Sequence, residues 1–180
     1  LAFERDGDRW IADLPLHRFA DHHGALVLSV EFEWAEGRRH GDDLRLFSTP
    51  SDRIPARFGS LRDALQDGNL LVGTEVDVGQ AGFYRFDANV YGPDGEPIAF
   101  ATFKGELAPG RQTVPLEVYG KILRDAGIPG PYTIGEVRGY RFLDGHFPDR
   151  EELPPQPGRT TTAAYPLEAF RDEPHTSAHE

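Results

Sequence analysis

The residues able to do chemistry lie in short, separate groups. Asp21-His22-His23, with His17 nearby, could offer imidazole ligands to a metal. Adjacent histidines on a strand point to opposite faces, so one ion is reached only if the chain bends there. His40-Gly41-Asp42-Asp43 offers oxygen ligands. Calcium takes about six to eight oxygens, which two neighbouring carboxylates do not supply, and a solvated hairpin tip is the plainer reading. Asp6-Gly7-Asp8 and Asp94-Gly95-Glu96 resemble pieces of calcium loops. Neither continues to the full loop spacing with a terminal Glu, and both read as turns. Glu75, Asp77, Asp87 and Asn89 would make a carboxylate patch if neighbouring strands brought them onto one face. Carboxylates a few ångströms apart can do acid–base or glycosidase work. Against this, Glu75 and Asp77 sit at outward positions of an alternating run, and Arg85 shares the parity of Asp87 and Asn89. A solvated face with local charge compensation accounts for all five.

Aromatic side chains are the remaining candidates. Tyr91, Phe103, Tyr119 and Tyr140 are too many for one core. Those left on a sheet face could stack on sugars, anchor a partner protein, or contact a neighbouring unit of the same chain. The chain has no Cys, which excludes a thiolate nucleophile, disulfides and cysteine metal sites. It has no Gly-x-Ser-x-Gly elbow, phosphate loop or dinucleotide fingerprint. No residue is therefore assigned a catalytic, cofactor-binding or metal-ligating role, and no cofactor is expected.

The elements that would position these groups read as strands. The stretch 67–142 carries five, at about 70–78, 83–91, 97–104, 112–119 and 132–142, separated by turns such as Pro93-Asp94-Gly95 and Ala108-Pro109-Gly110. Pro115 demotes its strand to an edge or a bulge. Residues 120–127 read as a short helix ended by Gly127. Before this domain, residues 1–48 give three strands, at 9–16, 25–35 and 44–47, with 37–43 as a loop. In the second, Leu26, Leu28, Val30, Phe32 and Trp34 share one face. Residues 49–66 read as a linker bracketed by Pro50 and Pro55, with a helical turn at 60–65 capped by Ser60. Residues 144–159 are a Pro-rich acidic loop, 160–165 a closing strand, and 171–180 a polar tail, Leu167 and Phe170 serving as anchors ahead of it. The fold expectation is an all-β, immunoglobulin-like antiparallel sandwich over 67–170, preceded by a partial second unit of the same kind.

Twenty Gly and fifteen Pro favour such a turn-rich architecture. The net charge of −11 argues against nucleic acid and anionic membrane surfaces as partners. No apolar run approaches the roughly 20 residues that cross a bilayer as a helix.

The central stretch resembles the choice-of-anchor X domain of bacterial surface and secreted proteins. The likeness rests on Gly82-Phe83-Tyr84-Arg85-Phe86-Asp87-Ala88-Asn89-Val90-Tyr91 with Asp94-Gly95-Glu96-Pro97-Ile98-Ala99. It continues through Leu107-Ala108-Pro109-Gly110-Arg111-Gln112-Thr113-Val114-Pro115-Leu116, Gly120-Lys121-Ile122-Leu123 and Gly127-Ile128-Pro129-Gly130-Pro131-Tyr132 to Thr162-Ala163-Ala164-Tyr165-Pro166-Leu167 and Phe170. It covers about residues 50–170 and implies a periplasmic, cell-surface or extracellular setting, with a signal sequence upstream of Leu1. It carries over no catalytic residue. The functional expectation is a non-catalytic structural or interaction module, an accessory subunit docked on a larger complex. The three-strand unit exposes an apolar face with Trp10, Leu28, Phe32 or Trp34, which a protein partner or upstream chain must cover. A calcium- or glycan-binding adhesion module and a carboxylate-based hydrolase are the alternatives.

Overall fold

A computed structural model describes residues 3–34 and 37–175, the Trp34 side chain excepted. The chain is all-β and antiparallel with one short α-helix, and it divides into two compact units, Leu1–Arg53 and Ile54–Glu180.

The first unit is two ribbons. β1 (Glu4–Asp6) and β2 (Arg9–Ile11) turn back on each other at Gly7, whose φ of 62° suits a residue without a Cβ. The strand expected at 9–16 ends at Ile11, and Leu16–Phe19 is a 3-10 turn instead. Alternation alone does not extend a strand that lacks a partner, and Pro15 has no N–H to give one. β3 (Gly24–Trp34) and β4 (Arg38–Ser48) pair without a break from Gly24↔Ser48 to Trp34↔Arg38. The expected loop at 37–43 is thus largely strand. Its charges suggested a loop, but a ribbon open to water on both faces can pair its backbone without apolar alternation. Residue 35 lies outside the described residues. Leu26↔Leu46 and Leu28↔Leu44 face each other across the ribbon. Apart from Pro50, no aliphatic or aromatic side chain described in this unit is buried.

The second unit is a two-sheet sandwich. Its strands are β5 (Ala56–Gln66), β6 (Asn69–Val78), β7 (Gly82–Tyr91), β8 (Pro97–Leu107), β9 (Gly110–Val118), β10 (Thr133–Phe142), β11 (Arg150–Glu152) and β12 (Thr160–Thr161). One sheet runs β5-β6-β9; the other runs β11-β10-β7-β8, with β12 also on β10. With β5 taken as strand A, this is the A-B-E and C′-C-F-G arrangement of immunoglobulin-like sandwiches. Pro115 lies in β9, an edge strand, where its missing donor costs nothing. Helix α1 (Gly120–Ala126) joins the sheets and ends at Gly127 in the left-handed region, φ 68°.

Three expectations are corrected here. The linker over 49–66 is mostly β5, paired with β6 from Ala56↔Val78 to Gln66↔Asn69. The register shifts between Phe58 and Leu61, so Gly59 and Ser60 together oppose one residue. That bulge breaks the period of two and hides the strand. Ser60 caps no helix; its hydroxyl donates to Glu75 Oε2 at 2.7 Å. The acidic loop 144–159 contains β11, whose Glu151 is buried against Arg141. The closing strand is only Thr160–Thr161, after which Thr162 turns inward.

The core lies between the sheets. Leu70, Val76, Leu116, Phe86, Val90 and Ile134 are fully buried, each stabilising by about 1.5–3 kcal/mol relative to exposure. Phe86 stacks on Phe103 and fills the space over Gly139, where any Cβ would lie 2.3 Å from its ring. Tyr132, at the entry to β10, donates its hydroxyl to the Ile128 carbonyl four residues back, at 2.8 Å. This is the tyrosine corner of immunoglobulin-like folds. Phe170 packs beside Tyr132 and Tyr165. Beyond it, Arg171 N–H donates to Gly68 O, and Tyr119 donates to Glu173 O. The first residues of the expected polar tail are therefore tied down; 176–180 lie outside the described residues.

Two predictions follow from the core. Thr74 is fully buried and its Oγ1 has no hydrogen-bond partner. Replacing that desolvated hydroxyl with a methyl group, Thr74→Val, is expected to raise the unfolding free energy by about 1 kcal/mol in a urea titration. The Tyr84 phenol, bonded to the Pro55 and Gln80 carbonyls, is pushed up to about 12 by burial, with Glu151 adding to the rise and Arg141 opposing it. Its ordinary value is about 10, so the unfolded chain loses this proton first. Stability is intact below about pH 10 and falls as pH rises towards about 12, by at most roughly 2–3 kcal/mol. Tyr84→Phe, measured by unfolding at a series of alkaline pH values, is expected to flatten that fall at a cost of about 1 kcal/mol near neutrality.

Candidate functional site

The outer face of the β11-β10-β7-β8 sheet gathers the richest set of functional groups. Alternation along β7 sends Tyr84, Phe86, Ala88 and Val90 into the core and leaves Phe83, Arg85, Asp87, Asn89 and Tyr91 outward. Register then places Lys104 and Tyr140 beside Arg85, and Thr102 and Arg138 beside Asp87. Asp87 is the anchor of this row. It accepts from Arg85 Nε at 3.0 and 3.1 Å through its two oxygens, and from the Thr102 hydroxyl at 2.9 Å. The Asp87 carboxylate holds the Arg85 guanidinium pKa above its usual value.

A second cluster sits at the bulge in β10. Glu136 has φ 54°, left-handed backbone for a side-chain-bearing residue. Such a conformation costs about 1–2 kcal/mol and is kept where the surroundings demand it. Here it turns the carboxylate onto the Tyr91 hydroxyl at 2.7 Å and onto Asn89 Nδ2. Arg159 lies over the Tyr91 ring, 4.8 Å from its centroid. Further along, Tyr140 packs edge-on against Phe142, which meets Phe83, and Arg150 covers Tyr140. The Glu152 carboxyl pKa is raised by burial, which Arg150 and Arg138 partly oppose. The result is a polar–aromatic surface on which Asp87 pairs with Arg85 and Glu152 with Arg150.

The sequence candidates distribute as follows. Glu75 and Asp77 do not join Asp87 and Asn89: β6 and β7 belong to different sheets. Consecutive strands are not neighbours here, because the chain crosses between layers after Val78. Glu75 instead accepts from the Ser60 hydroxyl and N–H, which hold its carboxyl below the usual range. It lines a shallow depression of about 240 Å³ beside the β5 bulge, with Asp77, Arg57 and Arg111. Phe103 belongs to the core, and Tyr119 to the contact with the C-terminal strap. Tyr91 and Tyr140 alone of the four aromatics remain on the outer sheet face.

In the first unit, His22 and His23 part company. His22 Nε2 lies 3.3 Å from Ala25 O, and His23 Nδ1 lies 2.6 Å from Arg53 Nη1. His40-Gly41-Asp42-Asp43 is mid-strand in β4 and not a hairpin tip. Asp42 Oδ1 accepts the Asp43 N–H at 2.9 Å. Asp6-Gly7-Asp8 and Asp94-Gly95-Glu96 are turns, with Gly95 N–H donating to Gly92 O. Among the described residues, no three His, Asp or Glu side chains converge in a way that could hold a metal ion.

Glu136, Arg141, Glu151 and Arg159 do not stand out in the sequence. One signal was there: Ile134 and Val137, both core residues, are three apart where a regular strand spaces them by two, which marks the bulge that aims Glu136.

No family model matches the chain, and no curated protein does. Among solved structures, it is similar to a DUF4785 family protein from Legionella pneumophila subsp. pneumophila. The identity is 16% and the TM-score 0.46, over 81% of this chain and 36% of that one. The chain thus spans about a third of the length of that protein.

The bulge yields a test. Glu136→Gly relieves the left-handed strain and removes two exposed hydrogen bonds, effects of similar size. Stability by urea titration is expected to stay within about 1 kcal/mol of the parent. A larger loss would mean that the carboxylate ties β10 to β7.

Proposed function

We propose that the chain is a non-catalytic β-sandwich module of the cell envelope or the extracellular space, acting by docking on a larger complex through its first unit. The observation that carries this reading is the contrast in burial. The sandwich seals its own core, whereas Val27, Phe32 and Leu44 of the β3–β4 ribbon are 57%, 51% and 54% exposed. A lone two-stranded ribbon is marginal in water, and one with apolar residues on its faces gains stability from a cover. The envelope setting rests on the resemblance of the central stretch to modules of bacterial surface and secreted proteins.

A second reading is a glycan-binding adhesion module. The convergence of Phe83, Phe100, Tyr91, Tyr140 and Phe142 with Arg85, Asp87 and Asn89 on one sheet face supports it, since sugars take aromatic platforms flanked by polar groups. The hydrolase alternative has no such support, because its carboxylates lie on different sheets.

One set of measurements separates the readings. Under the docking reading, the full chain binds an apolar fluorophore such as ANS, and Phe32→Ser with Leu44→Ser reduces the signal severalfold without moving the main unfolding transition. A well-folded, monodisperse monomer that binds no ANS would sink it. Under the glycan reading, migration is retarded in polysaccharide-containing native gels, and Phe100→Ala with Tyr140→Ala abolishes the retardation.

A further inference from the structure

The outward edge of β4 has an order of charges that fits itself. From Arg38 to Leu44 the strand reads Arg38-Arg39-His40-Gly41-Asp42-Asp43-Leu44, bases on one side of Gly41 and acids on the other, with Arg45 next beyond this self-complementary stretch. Two copies laid antiparallel about a two-fold axis at Gly41 would place Arg39 opposite Asp43 and His40 opposite Asp42, each pair twice. Parallel alignment would set like charges side by side. We propose that β4 is a self-pairing edge, joining two copies of this chain into a four-stranded antiparallel sheet, β3-β4-β4-β3, centred on Gly41.

Charges on an edge strand ordinarily oppose this kind of pairing, so their order decides the matter. Most other edges of the sandwich carry the usual protections, and β8, an eleven-residue edge, opens on Pro97 beside a register shift. β9 has Pro115, β5 has the bulge at Gly59 and Ser60, and β11 is three residues long. β4 has eleven residues, no proline and no register shift, and among the described residues no strand pairs with its other edge. The free edge of β3 is equally long but offers only carboxylates, Glu31 and Glu33, which would meet each other in an antiparallel copy. Arg39 already bonds Glu33 at 3.0 Å, with both side chains largely exposed. In the dimer its guanidinium would lie between Glu33 of its own ribbon and Asp43 of the second copy. Opposite charges directly across a ladder favour pairing, and like charges oppose it. The closed symmetry limits the assembly to two copies.

This inference is independent of the docking reading: it concerns the edge of the ribbon, not its apolar face. Sedimentation velocity over a range of concentrations is expected to show a reversible dimer of the 20.0 kDa chain. Asp43→Arg should weaken dimerisation by about tenfold, because both pairs become Arg against Arg. Adding Arg39→Glu to it should restore the dimer. The absence of Cys allows a second measurement that does not depend on affinity. A Cβ at Gly41 meets nothing closer than Val30 O at 3.8 Å, so Gly41→Cys fits the strand. On the axis it faces its own copy at a separation a disulfide can bridge. In oxidised glutathione it should form a covalent dimer at least tenfold faster than Ser29→Cys or Lys104→Cys. A monomer at every concentration, or equal cross-linking at all three positions, would overturn the proposal. ANS binding that persists in the dimer would leave the docking reading standing, and its loss in the Phe32 and Leu44 double variant would not touch this one.

Discussion

The passage from one sheet of the sandwich to the other turns on the hydroxyl of Tyr132. Its bond to Ile128 O closes the connection that carries the chain from β9, through α1, into β10. β10 is the strand on which most else depends. It lies between β7 and β11, receives β12, supplies Gly139 as the hollow for Phe86, and holds the bulge that aims Glu136. The ring of Tyr132 also forms the surface on which Phe170 lands, so the corner fixes the C-terminal strap as well. A hydrogen bond of this kind contributes only about 1 kcal/mol by itself. Its weight comes from what it positions: a crossing that is wrong by one residue would reverse every side chain of the central strand.

The strap shows how little secondary structure a well-held segment needs. After β12 the chain is held by scattered bonds to three segments: Thr162 N–H to Tyr132 O and Gly130 N–H to Tyr165 O at the α1–β10 connection, Ala163 N–H and the Tyr165 hydroxyl to Asp63, and Arg171 N–H to Gly68 O in the β5–β6 turn. Gly120 packs so closely here that a Cβ would lie 1.8 Å from Gly68 O. Asp63 belongs to β5, so these bonds span the open side of the sandwich between its two sheets. Among its described residues the first unit is two ribbons, with apolar side chains other than Pro50 partly or wholly in water.

Much of the sandwich was legible in the residues. The strands containing Val72 to Val78, Tyr84 to Val90 and Val114 to Val118 alternate cleanly because each has one face in the core, and Gly127 marked the helix end for the stereochemical reason it usually does. What escaped were the places where period two fails for a cause that is not local. β5 is broken by its bulge. β11 is three residues between prolines, held by the Arg141–Glu151 pair, which no pattern announces. The polar half of β4 is strand only because β3 lies beside it. For the functional groups the gap is wider. The Arg85–Asp87 pairing followed from parity along one strand. The assignment of Glu75 and Asp77 to a different sheet depends on topology, and the meeting of Glu136, Tyr91 and Arg159 on three separate segments.

The bulge at Gly59 and Ser60 has a further consequence for how the sequence can vary. β5 is read in two frames: Ala56 and Phe58 face inward before it, Leu61 and Asp63 after it. A point substitution at either bulge residue leaves both frames intact. Deleting one of them would join the frames, and the entry half of the strand would rotate, turning Ala56 and Phe58 out to water. Changes of residue identity and changes of chain length are thus uncoupled at this position. A side chain at Gly59 would have to make room, its Cβ lying 3.1 Å from the Glu75 Cβ, while the number of residues between the first core contact and the β5–β6 turn is held fixed by the register.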